Sequence, residues 1–156
     1  MNIHRWCRGL GTALSFTAFG IGGLFIGLVI APLLSLGVRN PERRHYLARR
    51  LIQRCFLTFI NLMKGLGVLD YQLDNQERLL RPGLLVIANH PSLIDVVFLL
   101  AHMPHANCIV KGRLARNPFT RGPIRAAGYI TNDDPETVLE AARESLRKGN
   151  SLILFP

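Results

Sequence analysis

The stretch "LLVIANHPSLIDVVFLLAHM", residues 84–103, predicts a β-strand, a short junction and an α-helix in immediate succession. The strand spans 84–88, and the helix carries Pro91 in its first turn, where proline is well tolerated. The junction contains His90, and Asp95 follows five residues later. Because a buried charge is costly unless it is paired, these two side chains require an explanation.

The rest of the C-terminal part repeats this alternation. Short apolar runs at 108–111, 129–131 and 151–155 predict three more strands, and 134–149 is the clearest helix, with capping residues at both ends. Strands that alternate with helices indicate an α/β fold with helical crossovers. Such sheets place functional loops at the carboxyl ends of their strands, and His90 follows one of those ends.

An apolar stretch dominates the N-terminal part. Residues 9–38 contain no Asp, Glu, Lys, Arg or His, and about 20 apolar residues are enough to cross a bilayer. A cleaved signal has a shorter apolar core of about 7–15 residues, so the length favours a retained membrane anchor. Gly23, Gly27 and Pro32 leave room for a close helix contact or a kink, and a re-entrant hairpin remains open.

Charge is distributed unevenly along the chain. Residues 1–65 contain nine Lys and Arg but one acid, whereas 66–156 contain ten Lys and Arg and nine acids. Most of these N-terminal cations follow the apolar stretch, which predicts a cytoplasmic location for the C-terminal side, at the inner membrane in a bacterium. The three cysteines are too scattered for a disulfide framework. We predict membrane-anchoring helices at 1–65 and an α/β domain at 66–156.

Residues 42–64 predict an amphipathic helix with a basic face. Two interpretations fit this pattern: the helix lies among anionic lipid headgroups, or it packs on the following domain with its arginines in solvent. Nucleic acid is not an expected partner, because arginines next to a long apolar stretch favour an anionic lipid surface.

His90 and Asp95 form a candidate catalytic pair. An aspartate that holds one imidazole nitrogen leaves the other free to accept a proton from a hydroxyl. In the alternative, His90 caps the helix and Asp95 is a hydrogen-bonded, half-buried residue. No cluster with metal-ligand spacing surrounds the pair, so no metal is expected. A covalent mechanism through Ser92 lacks its own base and the required elbow sequence.

The motif "NHPSLID" resembles the first motif, His-x4-Asp, of the lysophospholipid (1-acylglycerol-3-phosphate) acyltransferases. Asn89, His90, Ser92 and Asp95 all match that motif. The stretch 111–130 is similar to the second conserved region of the family. The final "LILFP" is similar to the strand that enters the motif Phe-Pro-Glu-Gly-Thr-Arg, so we expect an α/β acyltransferase domain that is incomplete at its C-terminal end and inactive alone.

This resemblance implies direct acyl transfer without a cofactor. His90 would take the proton from the hydroxyl of a membrane lipid acceptor, which then attacks the acyl thioester of an acyl carrier protein or of coenzyme A. Asp95 would orient and charge-balance His90, and Asn89 and Ser92 are expected at the substrate. The rivals are a non-catalytic membrane-bound scaffold and a lipid ester hydrolase in which His90 activates water.

One position departs from the family pattern. The second motif commonly ends Gly-x-x-x-x-Arg, with an arginine associated with the phosphate of the acceptor, and Asp133 stands there in this chain. An aspartate repels phosphate, which favours an acceptor without phosphate at this position, such as a glycolipid or an ornithine-type lipid. Nearby cations can supply anion contacts instead, or form a solvated or lipid-facing loop. They are Lys111, Arg113, Arg116, Arg121 and Arg125.

Overall fold

A small parallel β-sheet with helices around it forms the C-terminal part of the chain, and a long helical segment precedes it. The computed structural model describes residues 3–89 and 92–155, and only the backbone of residues 3–8. The strands are β1 Leu85–Ile87, β2 Asn107–Val110, β3 Ile130–Thr131 and β4 Leu152–Leu154. The α-helices are α1 Ile3–Phe25, α2 Ala31–Gly37, α3 Pro41–Gly65, α4 Leu93–His102, α5 Gly112–Arg116, α6 Arg121–Ala127 and α7 Pro135–Arg147.

All four strands run parallel, in the order β1-β4-β2-β3. The α/β fold predicted from the sequence is therefore confirmed. In the centre, Ile153 of β4 pairs with Val86 of β1 on one side and with Cys108 of β2 on the other. Ile153 is fully buried, whereas Leu85 and Ile87 on the edge strand β1 are 53% and 65% exposed. The carboxyl ends of all four strands meet at one edge of the sheet.

The start of α4 differs from the sequence prediction. The helix begins at Leu93, two residues after Pro91, and its N-cap is Ser92, which has an extended backbone. The backbone N–H of Ser92 is bonded to the side chain of Asp95, which fixes the first turn. The cap position therefore belongs to Ser92, and the alternative in which His90 caps this helix is wrong. His90 and Pro91 themselves lie outside the described residues.

The amphipathic helix α3 packs on the sheet domain. Ala48, Ile52 and Met63 on its apolar face are each at most 2% exposed, whereas Arg50 and Arg54 are exposed. Its apolar residues belong to clusters shared with α4, β2 and α6. The predicted packing of the apolar face of α3 on the domain is confirmed, whereas the surroundings of its exposed arginines, solvent or lipid headgroups, stay a prediction. The division of the chain at residue 65 stays a prediction.

Arg49 is the exception among the arginines of α3. It is only 8% exposed, and its Nε donates to the carbonyl of Ala127 at 2.8 Å. Its Nη2 donates to the carbonyl of Gly128, which has a left-handed φ of 63°. Carbonyls at a helix C-terminus lack intrahelical donors. Arg49 supplies donors there and so ties α3 to the end of α6.

The N-terminal helices α1 and α2 are joined by a π-helical turn, Ile26–Ile30. Pro32 follows this turn; proline has no N–H, and its ring clashes with the carbonyl four residues earlier, which explains a local widening of the helix. Together, Gly9–Gly37 form a segment long and apolar enough to cross a membrane by length and composition. Most of that segment is exposed, but Phe19 contacts Phe56 and Phe59 with ring centroids 5.7 and 5.2 Å apart.

Glycines allow the N-terminal segment to touch α6 through the backbone. A Cβ added to Gly23 would lie 2.7 Å from the carbonyl oxygen of Phe119, and one added to Gly27 would lie 3.0 Å from the Cα of Gly122. A Cβ on Gly122 would collide with the Cα of Gly27. The close helix contact predicted from Gly23 and Gly27 is thus present.

We predict that Gly122→Ala destabilises the protein while Gly20→Ala does not. The new methyl group at Gly122 meets backbone, and overpacking of this kind costs about 1–3 kcal/mol. Gly20 lies on the same N-terminal segment with nothing within 4 Å of an added Cβ, so alanine there gains up to about 1 kcal/mol of helix propensity. Denaturant unfolding in mild detergent measures both free energies. Equal shifts for the two variants would contradict the backbone contact.

Candidate functional site

Four chain segments converge at the carboxyl edge of the sheet. Asn89 follows β1, Lys111 follows β2, Asp133 follows β3 and Phe155 follows β4. Because the strands are parallel, all four segments lie at the same edge. The sequence-predicted residues Asn89 and Lys111 are therefore brought to one side of the molecule, and both are exposed.

Asp95 is fixed at the third position of α4. Its Oδ2 accepts two hydrogen bonds of 3.0 Å, one from the backbone N–H of Ser92 and one from the Ser92 hydroxyl. Its side chain is half-buried at the positive end of the helix, a favourable place for a carboxylate. Among residues 3–89 and 92–155, no hydrogen-bond donor is bonded to Oδ1. The predicted contact between Asp95 and His90 involves a residue outside the described ones and stays a prediction.

An apolar cavity of about 390 Å³ reaches the first turn of α4. It lies between the N-terminal segment, α3, α4, α6 and the face of β2, and its size is within the usual range for ligand pockets, about 300–1,000 Å³. Leu93 and Val96, in the same turn of α4 as Asp95, form part of its wall. Other lining residues include Phe19, Gly23, Ile26, Phe56, Phe59, Leu100, Cys108, Leu114, Phe119, Ile124 and Tyr129.

Burial favours the neutral forms of two polar groups in the cavity wall, a thiol and a phenol. Burial raises the pKa of the Cys108 thiol to about 12. Burial also raises the pKa of the Tyr129 hydroxyl, with a further contribution from Cys108. Arg54 also contributes to the wall, and this residue is exposed at the surface. A mostly apolar cavity of this kind suits a hydrocarbon chain.

The cations predicted for substrate binding fall into two places. Lys111 is the N-cap of α5, and Arg113 and Arg116 lie on α5, whose Leu114 lines the apolar cavity. All three are exposed. Arg121 begins α6 and lies instead in a groove beside the N-terminal segment, away from the cavity wall.

Asp133 lies against the start of α5. A Cβ added to Gly112 would collide with the Asp133 carboxylate, so glycine is required for this approach. Gly112 directly follows Lys111 and precedes Arg113. Asp133 therefore places a negative charge inside the cluster of cations on α5 and lowers its net charge.

A second, polar cavity of about 540 Å³ lies toward the amino ends of the strands and shares no lining residue with the apolar cavity. His45, Arg49 and His105 contribute to its wall, and the His105 ring stacks on Tyr46 with centroids 4.3 Å apart. Burial, followed by the charge of Arg49, lowers the pKa of His45. Burial, followed by the charge of Arg50, lowers the pKa of His105.

Sequence reasoning missed the apolar cavity. Its walls come from segments far apart in the chain, and no local pattern identifies them as neighbours. The glycines of the N-terminal segment were the available signal, because they indicated a close helix contact. Among the described residues, which do not include His90, no group of three or more His, Cys, Asp or Glu side chains is placed to hold a metal ion.

A family model described as "Acyltransferase" matches residues 70–156, more than half of the chain. The chain belongs to this acyltransferase family. The family resemblance of "NHPSLID" is thereby confirmed. The matched region contains the strand β1, the helix α4 with Asp95 and the cation-rich helix α5.

Two relatives of this acyltransferase family member are informative. The chain is 28% identical over 141 residues to the 1-acyl-sn-glycerol-3-phosphate acyltransferase of Helicobacter pylori strain J99, covering 85% of this chain and 55% of that protein. It superimposes with a TM-score of 0.68 on the crystal structure of the 1-acyl-sn-glycerophosphate (LPA) acyltransferase PlsC from Thermotoga maritima, at 21% identity, covering 96% of this chain and 61% of that one. This second similarity shows a shared fold, and the chain spans little more than half the length of these relatives.

We predict that Asp95→Ala lowers the free energy of unfolding by about 1 kcal/mol, because the N–H and the hydroxyl of Ser92 lose their acceptor at the start of α4. Asp95→Asn keeps an acceptor oxygen and is the matched control, with a smaller loss. Denaturant unfolding measures the free energy of unfolding of the wild-type protein and of the two variants. Wild-type stability of Asp95→Ala would show that these two bonds do not hold the turn.

Proposed function

We propose that this protein transfers a fatty acyl group from an acyl thioester, carried by coenzyme A or an acyl carrier protein, to a hydroxyl of a membrane lipid of the lysophospholipid class. One observation carries the proposal. In the His-x4-Asp motif, Asp95 is bonded to Ser92 on the helical turn that borders a mostly apolar cavity of about 390 Å³. The motif supplies a base, and the cavity supplies room for an acyl chain.

In this mechanism, His90 takes the proton from the acceptor hydroxyl as the acceptor oxygen attacks the thioester carbon. The tetrahedral intermediate then collapses, the carbon–sulfur bond breaks, and the leaving thiolate takes the proton from the imidazolium of His90 to depart as the thiol. Only Pro91 separates His90 from Ser92, and a chain extends at most about 3.6 Å per residue, so the Cα atoms of His90 and Ser92 lie within about 7 Å. No residue among 3–89 and 92–155 donates to Oδ1 of Asp95, and in this proposal that oxygen accepts an imidazole N–H of His90, which fixes the tautomer and balances the charge.

The acyl chain of the donor occupies the apolar cavity in this proposal. Each methylene group that leaves water contributes about 0.8 kcal/mol, so a long chain binds by burial alone without a specific polar contact. Leu93 and Val96 at the first turn of α4 place the reactive end of the chain near Asp95. The thioester carbon then lies where a hydroxyl activated by His90 can reach it.

Lys111, Arg113 and Arg116 are proposed to bind the polar end of the acceptor, with Asn89 and Ser92 next to the reacting hydroxyl. The names of the two relatives specify a glycerol phosphate acceptor for those proteins. Lysophosphatidic acid is accordingly the first acceptor to test. The carboxylate of Asp133 at Gly112 favours a second candidate, an acylated lipid without phosphate at this position.

The N-terminal segment is proposed to hold the protein on the cytoplasmic face of a membrane. Its outward side chains are apolar, with Leu28 70% and Leu36 83% exposed. Its inward side contacts the domain from Gly11, which faces Val68, to Gly27, about 24 Å along the helix. A perpendicular crossing would pull the packed domain into hydrocarbon, so the segment lies along the membrane surface with its outer face in lipid.

We predict that His90→Ala in the full-length protein lowers acyl transfer at least about 10²-fold while the fold is retained, because a positioned general base contributes about 10²–10⁴ in rate. Asp95→Asn also lowers turnover, because an amide cannot balance the imidazolium charge. Transfer from palmitoyl-coenzyme A to lysophosphatidic acid is measured beside thermal unfolding.

Three outcomes of this experiment are decisive. Loss of turnover in a folded His90→Ala variant supports the transferase. Near-wild-type turnover in that folded variant rejects His90 as the general base. Release of free fatty acid that does not depend on the acceptor identifies a hydrolase instead.

We also predict that a bound acyl chain protects Cys55, which lines the apolar cavity and is exposed. In a Cys7→Ser background, maleimide labels Cys55 while the buried Cys108, with its raised pKa, stays unlabelled as an internal control. Palmitoyl-coenzyme A slows the labelling of Cys55 severalfold, and coenzyme A without the chain does not. Identical labelling rates with and without the acyl chain would place the chain elsewhere.

A further inference from the structure

A groove of about 570 Å³ runs between the N-terminal segment and α6, and we refer to it as the helix groove. One wall is apolar and comes from the π-helical turn and its neighbours. The other wall comes from the start of α6 and carries two arginines, Arg121 and Arg125. The lining residues are Leu24, Gly27, Leu28, Ala31, Pro32, Ser35, Pro118, Arg121, Gly122 and Arg125.

The helix groove is separate from the apolar cavity. Both lie against the N-terminal segment and α6, but they share no lining residue. The contact between Gly27 and Gly122 brings the two backbones together and belongs to the groove, whereas Gly23 and Phe119 face the cavity. A ligand in the helix groove would therefore not occupy the proposed acyl-chain site.

The two arginines of the helix groove have no counter-charge among the described residues. Arg121 and Arg125 are one helical turn apart, so they project from the same side of α6, and both are exposed. Within 3–89 and 92–155, no carboxylate lies within ion-pair distance of either guanidinium, and the lining of the groove includes no acid. Two unpaired cations next to an apolar wall match a ligand with an anionic head and a hydrocarbon tail.

The apolar wall of the groove is open to the surroundings. Leu28 is 70% exposed, and the π-helical turn that contains it replaces regular α-helix at this point. Single π-helical turns within helices occur frequently at functional sites. Exposed apolar side chains continue on the same segment through Leu33 and Leu36, and such a row beside two cations favours a lipid over a nucleic acid.

We propose that the helix groove binds one anionic phospholipid of the membrane, with its phosphate between Arg121 and Arg125 and an acyl chain along Leu24 and Leu28. The inference rests on the membrane association proposed above. Arg121 then belongs to the lipid surface and not to the acceptor site. Thr120 and Pro123, which are close to Arg121 in the chain, line the apolar cavity. A lipid bound in the helix groove would therefore keep this wall of the cavity at the depth of the lipid headgroups.

The test compares two pairs of substitutions with equal loss of charge. Arg121→Gln with Arg125→Gln removes the cations of the groove, and Arg143→Gln with Arg147→Gln removes two exposed cations of α7. Flotation measures binding to vesicles of phosphatidylcholine alone and of equimolar phosphatidylcholine and phosphatidylglycerol. A photoactivatable phosphatidylglycerol identifies the peptides that contact lipid, and thermal unfolding checks the fold of each variant.

We expect the groove pair to lose roughly 10-fold or more of its preference for the anionic vesicles, and the α7 pair to change little. Crosslinks should map to peptides with residues 24–35 and 118–125 and disappear in the groove pair. The groove proposal is rejected if both pairs lose the same preference for anionic vesicles, or if the crosslinks do not depend on Arg121 and Arg125. Either result would indicate general charge attraction. Binding without anionic preference rejects the groove alone, whereas no binding to either vesicle rejects the membrane association together with it. Absence of acyl transfer in a protein that binds lipid normally would reject the proposed acyltransferase function and leave the lipid-binding groove in place.

Discussion

Backbone contact between Gly27 and Gly122 makes an apolar segment part of the domain. Two glycines allow the helices to approach more closely than any side chain permits, so the N-terminal segment becomes a wall rather than a detached anchor. Phe19 extends the same interface toward α3, because its ring stacks on Phe56 and contacts Phe59 at a tilted angle. Both the apolar cavity and the helix groove depend on this approach, since each has one wall on that segment.

The Asp95 carboxylate combines two tasks at the start of α4. Its Oδ2 accepts hydrogen bonds from the N–H and the hydroxyl of Ser92, and none of the described residues donates to its Oδ1. In the proposed mechanism, a carboxylate that is already held in its turn would lose little freedom on orienting a neighbouring imidazole. The structural and catalytic interpretations of Asp95 are therefore compatible.

Local patterns predicted much of the fold, because they depend on neighbouring residues. Asp134 accepts from the N–H of Thr137 at the start of α7, and Gly149 has a left-handed φ just beyond its end, as the sequence indicated. The start of α4 was placed two residues early, since Pro91 suited a first turn but Ser92 captured the Asp95 side chain. The cavity, the burial of Arg49 and the central place of β4 arise from contacts between distant segments, which single-sequence periodicity does not report. For the candidate site, the sequence indicated the residues of the His-x4-Asp motif but did not indicate the apolar cavity beside Asp95.

The central place of β4 also has a consequence for biosynthesis. Leu152 of β4 pairs with Leu85 of β1, and the same strand joins β1 to β2, so the sheet cannot close until the ribosome has delivered all of these segments. The apolar N-terminal helices leave the ribosome long before that moment. A chain that presents this apolar segment before its sheet exposes hydrophobic surface until the sheet assembles. An early encounter of that segment with lipid would shelter it and leave the sheet to assemble afterwards at the membrane surface.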